Sequence, residues 1–314
     1  MTNSHPVPAL ALAVLLLSCG SSALHAQAPS PSLELLVLGS GGPGATGRAA
    51  SSYLVFVDGV ARILVDAGPG SFARLGEAKA SLTNTDLVLL THLHIDHVGE
   101  LPGLFKARAV SGSGPVVFNV WGPAGSPGRG QDAYFPSTRD FLQLEFGPQG
   151  AFAYLSDFAA PVSIRAHDIA APAADAVPQQ IFKEGDLSIR AIAGHHGDAP
   201  AVIYRVDHGG KSVTFSGDID AGGLPALRAI GKDTNLLVFN SVVLDPPGSP
   251  AILYTLHTPP LAIGELAKAV GARSLLLSHL SPAVDESRDA VLTAIRRSYA
   301  GPVTFANDGL RARP

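Results

Sequence analysis

Within six residues, His92-Leu93-His94-Ile95-Asp96-His97, this chain places three imidazoles and a carboxylate directly after the apolar run Asp86-Leu-Val-Leu-Leu-Thr91. Residues two apart in an extended segment share a face, so a strand that ends here presents His92 and His94 to one point. That is the spacing of a ligand pair. A turn at Ile95 then carries Asp96 and His97 in another direction, which leaves room for a second cation position. Val98-Gly99-Glu100-Leu101 opens a helical pattern that Pro102 breaks early. Packing offers no reason for so many polar rings at a strand exit, whereas ligand chemistry does.

The same device recurs along the chain: an apolar strand, a tight turn, then a ligand-type residue. Leu33 to Leu38 reads as a buried strand running into Gly39-Ser-Gly-Gly-Pro-Gly44. Those letters fit a dinucleotide loop, but such a loop needs a helix next. The chain continues instead with Ser52 to Val57, then Asp58-Gly59, then Arg62 to Val65, which is a hairpin, so the expectation is a glycine-rich loop beside the site. Asp66 closes that hairpin ahead of a helical stretch, Ser71 to Ala80, placed either to cap the helix or to accept a proton from a ligating histidine. Leu187 to Ala193 alternates as a strand and ends at Gly194-His195-His196-Gly197. Ala201 to Val206 and Ser212 to Ser216 form a second hairpin around His208-Gly209-Gly210 and lead into Gly217-Asp218, and Arg273 to Ser278 delivers His279. Ile263 to Val270 and Asp285 to Tyr299 have helical spacing, and Val303 to Ala306 supplies a last strand. Between Ala124 and Pro178 only Ser137 to Phe146 has a helical pattern. This insertion is expected to shape a substrate mouth, with its aromatics Tyr134, Phe135, Phe141, Phe146 and Phe152 more core than pocket.

Composition bounds the partners. At 314 residues, 46% hydrophobic and 15% charged, the chain buries a large core. Its net charge of -4 and scattered Lys and Arg supply no basic run, so no nucleic acid partner is expected. Residues 1–28 read as an export signal, because the apolar run Ala9 to Leu17 is too short to span a bilayer and small residues come after it, although no Lys or Arg precedes it. Leu16-Leu17-Ser18-Cys19 also resembles a lipobox, which would anchor the chain to the envelope through Cys19. The expected location is therefore periplasmic or secreted, with membrane contact only through such an anchor, and residues 29–314 are expected to form one domain. Cys19 is the only cysteine, so metal ligands in the mature chain are nitrogen and oxygen donors.

Taken together, Leu38-Gly-Ser-Gly41, Leu64-Val-Asp-Ala-Gly68, Thr91 to His97, His196-Gly-Asp-Ala-Pro200, Ser216-Gly-Asp218, His257-Thr258 and Ser278-His279 resemble the metallo-β-lactamase superfamily. Within it they are similar to the ribonuclease Z branch with its arylsulfatase and phosphodiesterase relatives. The resemblance implies an α/β fold, a four-layer αβ/βα sandwich with the site at one edge of two mixed sheets. It implies that His92, His94 and His196 hold one metal, that Asp96, His97 and His279 hold the other, and that Asp218 bridges them. His196 is preferred to its neighbour His195 because it precedes Gly-Asp-Ala-Pro as the ligand does in relatives. His257 is the candidate catalytic residue, for binding an oxyanion or protonating a leaving group, although Thr-Pro comes after it where ribonuclease Z has Ser-Thr. Asp96 counts as catalytic as well as ligating.

Two divalent ions, zinc first and manganese or iron as alternatives, would then supply hydroxide at neutral pH. The implied activity is an exported dinuclear hydrolase acting on a small-molecule ester: a phosphodiester, a sulfate ester or a carboxylic ester. The alternatives are a β-lactam or lactone hydrolase and a non-catalytic metal-binding envelope protein.

Overall fold

Residues whose side chains are apolar on both faces of an extended segment must be covered on both sides, and this requirement sets the layering. The computed structural model describes residues 1–2, 32–112, 114–128, 134–158, 160–170 and 177–314. The chain divides into Met1–Ser30 and Pro31–Pro314. The export-signal and Cys19 expectations fall on the first segment, of which only residues 1–2 are described, and the described strands and helices belong to the second.

Its first half runs through strands β1 (Leu33–Gly39), β2 (Ser52–Val57) and β3 (Val60–Val65), helix α1 (Ser71–Glu77), strand β4 (Leu87–Leu89), helices α2 (Ile95–Val98) and α3 (Leu101–Ser111), strand β5 (Val116–Pro123), helix α4 (Thr138–Phe146) and strand β6 (Val162–Ile169). The second half has strands β7 (Gln179–Glu184), β8 (Leu187–Ala193), β9 (Val202–His208) and β10 (Lys211–Phe215), helix α5 (Leu224–Ile230), strand β11 (Leu236–Asn240), helix α6 (Pro260–Ala269), strand β12 (Ser274–Ser278), helices α7 (Pro282–Glu286) and α8 (Arg288–Arg296), and strands β13 (Val303–Phe305) and β14 (Arg311–Ala312).

Two seven-stranded mixed sheets result, in the orders β14-β1-β2-β3-β4-β5-β6 and β13-β12-β11-β10-β9-β8-β7. Each half begins with antiparallel hairpins, whose two-residue turns suit strands that twist, and continues with parallel crossovers through helices. At the first turn Asp58 and Gly59 both have positive φ, 51° and 79°, as a type I′ turn requires.

β1 shows why there are four layers. Leu33, Leu35 and Val37 point between the sheets, where they meet Tyr204, Val213 and Phe215, while Leu36 and Leu38 point outward among Leu101, Phe105 and other helix residues. A matching outer layer covers the second sheet, where Ile203, Leu237 and Phe239 meet Ile263, Leu266 and Ile295. Every layer is fully buried at its centre, so truncating Leu36 to Ala costs about 2–5 kcal/mol.

Two expectations from the sequence change here. Pro102 does not break a helix but sits in the first turn of α3, where a missing N–H costs nothing. The stretch from Asp285 to Tyr299 is not one helix, since α7 and α8 meet at Ser287. Among the described residues no helix is long and apolar enough to cross a membrane.

Candidate metal centre

Strand ends from both sheets converge on one edge of the sandwich. The segment leaving β4 turns at His94, the N-cap of α2, so His92 and His94 lie on the incoming chain while Asp96 and His97 ride on the short helix. His196 comes after β8, Asp218 after β10 and His279 after β12. Among the described residues four groups of donor atoms form: His92, His94 and His196; Asp96, His97 and His279; His92, His97 and Asp218; and His196, Asp218 and His257. Within each, all atoms lie within 4.8 Å of one another.

Asp218 is the hub. Its Oδ2 lies 3.4 Å from His279 Nε2, 3.7 Å from both His97 Nε2 and His196 Nε2, 3.9 Å from His92 Nε2 and 4.0 Å from His257 Nδ1. The backbone before it is specialised, because Gly217 has φ 57° and a Cβ there would stand 2.7 Å from Thr91 Cβ. Gly42 is constrained from the other side: a Cβ would come within 2.5 Å of the His279 ring, so the glycine-rich loop forms a wall against that imidazole.

Hydrogen bonds behind the cluster decide which nitrogen faces inward. His97 Nδ1 is 2.7 Å from Asp66 Oδ2, and Asp66 also accepts from Thr91 N at 2.7 Å and Thr91 Oγ1 at 2.8 Å. His196 Nδ1 donates to the Leu256 carbonyl at 2.8 Å. Each ring is thereby held with Nε2 toward the cluster, the arrangement a metal-binding imidazole needs. His195, its neighbour, turns away: Nδ1 pairs with Asp220 at 2.7 Å and its side chain is 54% exposed. The structure thus brings His92, His94, Asp96, His97, His196, Asp218, His257 and His279 together and leaves His195 outside.

One contributor escaped the sequence reading. Asn240, the last residue of β11, donates to Asp218 Oδ1 at 2.6 Å. Its only signal was an amide at the end of an otherwise wholly apolar strand.

Electrostatics fit a cationic occupant. Burial, reinforced by neighbouring imidazoles, holds His92 well below the ordinary histidine range and lowers His94. Burial also opposes charge on His97 and His279, yet Asp66 and Asp218 raise the first well above that range and Asp218 and Asp96 raise the second. Asp218 is itself held well below the carboxylate range, against burial, by His279 and His97. Three buried carboxylates, Asp66, Asp96 and Asp218, thus draw positive charge into the site. His97 Nε2 is buried without a hydrogen-bond partner, at a cost of about 1–3 kcal/mol that a coordinated cation would remove, and His257 Nδ1 is likewise unpartnered beside it. The donors are imidazole nitrogens and carboxylate oxygens, a set suited to divalent zinc, manganese or iron.

Residues 61–280 match the family model described as a beta-lactamase superfamily domain. The ribonuclease Z of Mycobacterium avium (strain 104) is 28% identical over 286 residues, spanning 88% of this chain and 96% of the relative. The crystal structure of human tRNase Z, short form, superposes with a TM-score of 0.66 at 20% identity, covering 89% of this chain and 98% of that one. The metallo-β-lactamase fold protein YhfI of Bacillus subtilis also gives 0.66, at 19% identity, covering 90% of this chain and all of the other.

These relatives overturn one expectation. The exclusion of nucleic acid rested on net charge, yet chains that match this one almost end to end are named for action on RNA. The charge count omitted the site itself, where two divalent ions would add four positive charges and bring the formal total from -4 to 0. What the ligand set and the fold establish together is a metal-dependent hydrolase with a dinuclear site.

Proposed function

The chain belongs to the beta-lactamase superfamily, and on that premise we propose that it hydrolyses phosphodiesters, RNA among them, at a dinuclear centre. His92, His94 and His196 would hold one ion, Asp96, His97 and His279 the other, and Asp218 would bridge them. The single observation behind this assignment is Asp218 Oδ2, which faces imidazoles contributed by both halves of the chain. The name ribonuclease Z, carried by relatives spanning 88% of the chain, favours the phosphodiester over a carbonyl substrate.

Paired divalent ions held by these residues would supply an acidified water and positive charge for the oxygens of an in-line displacement. The protein's own groups do the rest. Asp66 and the Leu256 carbonyl fix the tautomers of His97 and His196. Asn240 keeps Asp218 from rotating. Burial lowers His257 to about 4, so near neutral pH its ring is uncharged. Hydrogen bonding to a phosphoryl oxygen suits a neutral imidazole better than arrival as a ready acid, and this favours the oxyanion role for His257.

The test is a single preparation assayed for metal by elemental analysis and for turnover on an aryl phosphodiester, short RNA, an aryl sulfate, a carboxylic ester and a β-lactam. Two ions per chain and cleavage of the phosphodiesters are expected. A single ion, or turnover confined to carbonyl substrates, refutes the proposal. The export signal proposed for residues 1–28 rests on composition alone and is tested by cell fractionation.

A further inference from the structure

We propose that Phe135 is the stacking face for a planar aromatic group flanking the scissile phosphodiester, which makes it a specificity-determining residue; this rests on the phosphodiesterase reading of the site. Of the clustered ligands, His94 alone is only partly buried, so the site opens past its ring. Phe135 stands at that opening, with ring centroids 5.8 Å apart and planes tilted by 51°.

Its support is rigid. Phe135 and Ser126 exchange both backbone hydrogen bonds, at 2.9 and 3.0 Å. A Cβ on Gly125 would lie 2.6 Å from Ser137 N and 2.7 Å from Phe135 O, so the two segments are in direct contact. Ser137 in turn caps α4, accepting from Asp140 N at 3.1 Å.

The other aromatics of this region have a different fate. Phe141, Phe146 and Phe152 pack on the core under the first sheet, while Phe135 does not join that cluster. Its chain neighbour Tyr134 is 68% exposed, and Ile95, next to His94 and between two ligands, is 73% exposed. Solvating such side chains is unfavourable, and a flat ring laid on Phe135 would remove apolar surface from water while leaving the charged phosphoryl group to the cluster. Aromatic stacking accepts any base because every base has a π-face, so this surface selects an aromatic substituent and not a sequence. Binding realised on that remote group would hold the reacting bond in place.

Two sources share this chemistry, a nucleobase and a simple aryl ring, and the test separates them. Phe135→Ala and Phe135→Trp are compared with the parent on bis(4-nitrophenyl) phosphate, on a dinucleoside monophosphate and on a glycerophosphodiester that carries no ring. Binding of phenylphosphonate and methylphosphonate is measured by calorimetry on the same samples. For Phe135→Ala, KM on the ring-bearing substrates should rise about 5- to 100-fold with little change in kcat. Phenylphosphonate should weaken in parallel, while metal content, the glycerophosphodiester and methylphosphonate stay as they were. Phe135→Trp should restore the parent values. A loss confined to one ring-bearing substrate supports the proposal and names the source. Equal losses with and without a ring would mean that Phe135 only shields His94, and no loss at all would mean that it does not touch substrate; either overturns the proposal. Should the parent cleave no phosphodiester, the functional reading fails instead, and the phosphonate pair still tests Phe135.

Discussion

Asn240 donates its side-chain amide to one oxygen of Asp218 at 2.6 Å, and the other oxygen, Oδ2, is left facing five imidazoles. An amide is the right donor here because it carries no charge to compete with a cation. Replacing it with leucine removes the bond while keeping an apolar side chain of similar size at the strand end. Asn240→Leu should weaken metal binding about 10- to 100-fold, as loss of a hydrogen bond behind a ligand commonly does. Competition against a chromophoric chelator measures this, and unaltered affinity would mean that the strand end alone positions Asp218.

Adjacent histidines should behave in opposite ways. His196→Ala removes a ring whose Nε2 lies in the cluster, so bound metal should fall below two ions per chain. His195→Ala removes a half-exposed ring paired with Asp220 and should leave metal content intact. Elemental analysis of both variants decides, and the reverse pattern would sink the ligand assignment.

His257→Ala should lower turnover about 10²- to 10³-fold, the usual effect of losing one oxyanion-type donor, with two ions still bound. Parent-like kinetics would remove His257 from the mechanism.

Acid should expose a second kind of contact. Burial raises the Asp285 carboxyl, but hydrogen bonds from Arg48 and Arg288 outweigh it and leave the group below the ordinary carboxylate range. A carboxyl depressed on folding contributes stability that is complete above its unfolded value of about 4 and is lost as pH falls through the folded value. The parent should therefore exceed Asp285→Asn by about 1 kcal/mol at neutral pH, discounted for partial exposure, and the gap should close as the pH falls below the ordinary carboxylate range. Denaturant titrations across this range check it; a gap constant with pH would point to packing instead of charge.

Much of the site was legible because it is local. His92, His94, Asp96 and His97 sit in six residues after a strand, and strand periodicity alone says which two share a face. Asp66 was legible as a tautomer-setting carboxylate because it ends a strand beside them. The choice between His195 and His196 was not local: the carbonyl of Leu256 and the carboxylate of Asp220, both more than twenty residues away, take one ring each. Asn240 was hidden by chemistry, since an amide at a strand end has many uses. The clamp on the glycine-rich loop was hidden by distance. Asp308 accepts from Ser40 N, Ala49 N and Arg74 Nε at 2.8–3.0 Å, and Arg48 reaches Ala306 and Asp285, each across more than 230 residues. Reading partners from net charge failed for another reason, because bound cations are not letters in the sequence.

Four of the proposed ligands, at positions 92, 94, 96 and 97, come from the first half of the chain, and three, at 196, 218 and 279, from the second. Anything that binds all of them riveted together spans loops of a hundred residues and more, and so resists the parting of the two sheets as a covalent cross-link would. At a free metal concentration 100 times its dissociation constant, each ion bound only by the native state adds about 2.7 kcal/mol. Heat tolerance should therefore track metal supply: chelation lowers the melting temperature even in a variant such as His257→Ala whose turnover is much reduced, and restoring the metal recovers it.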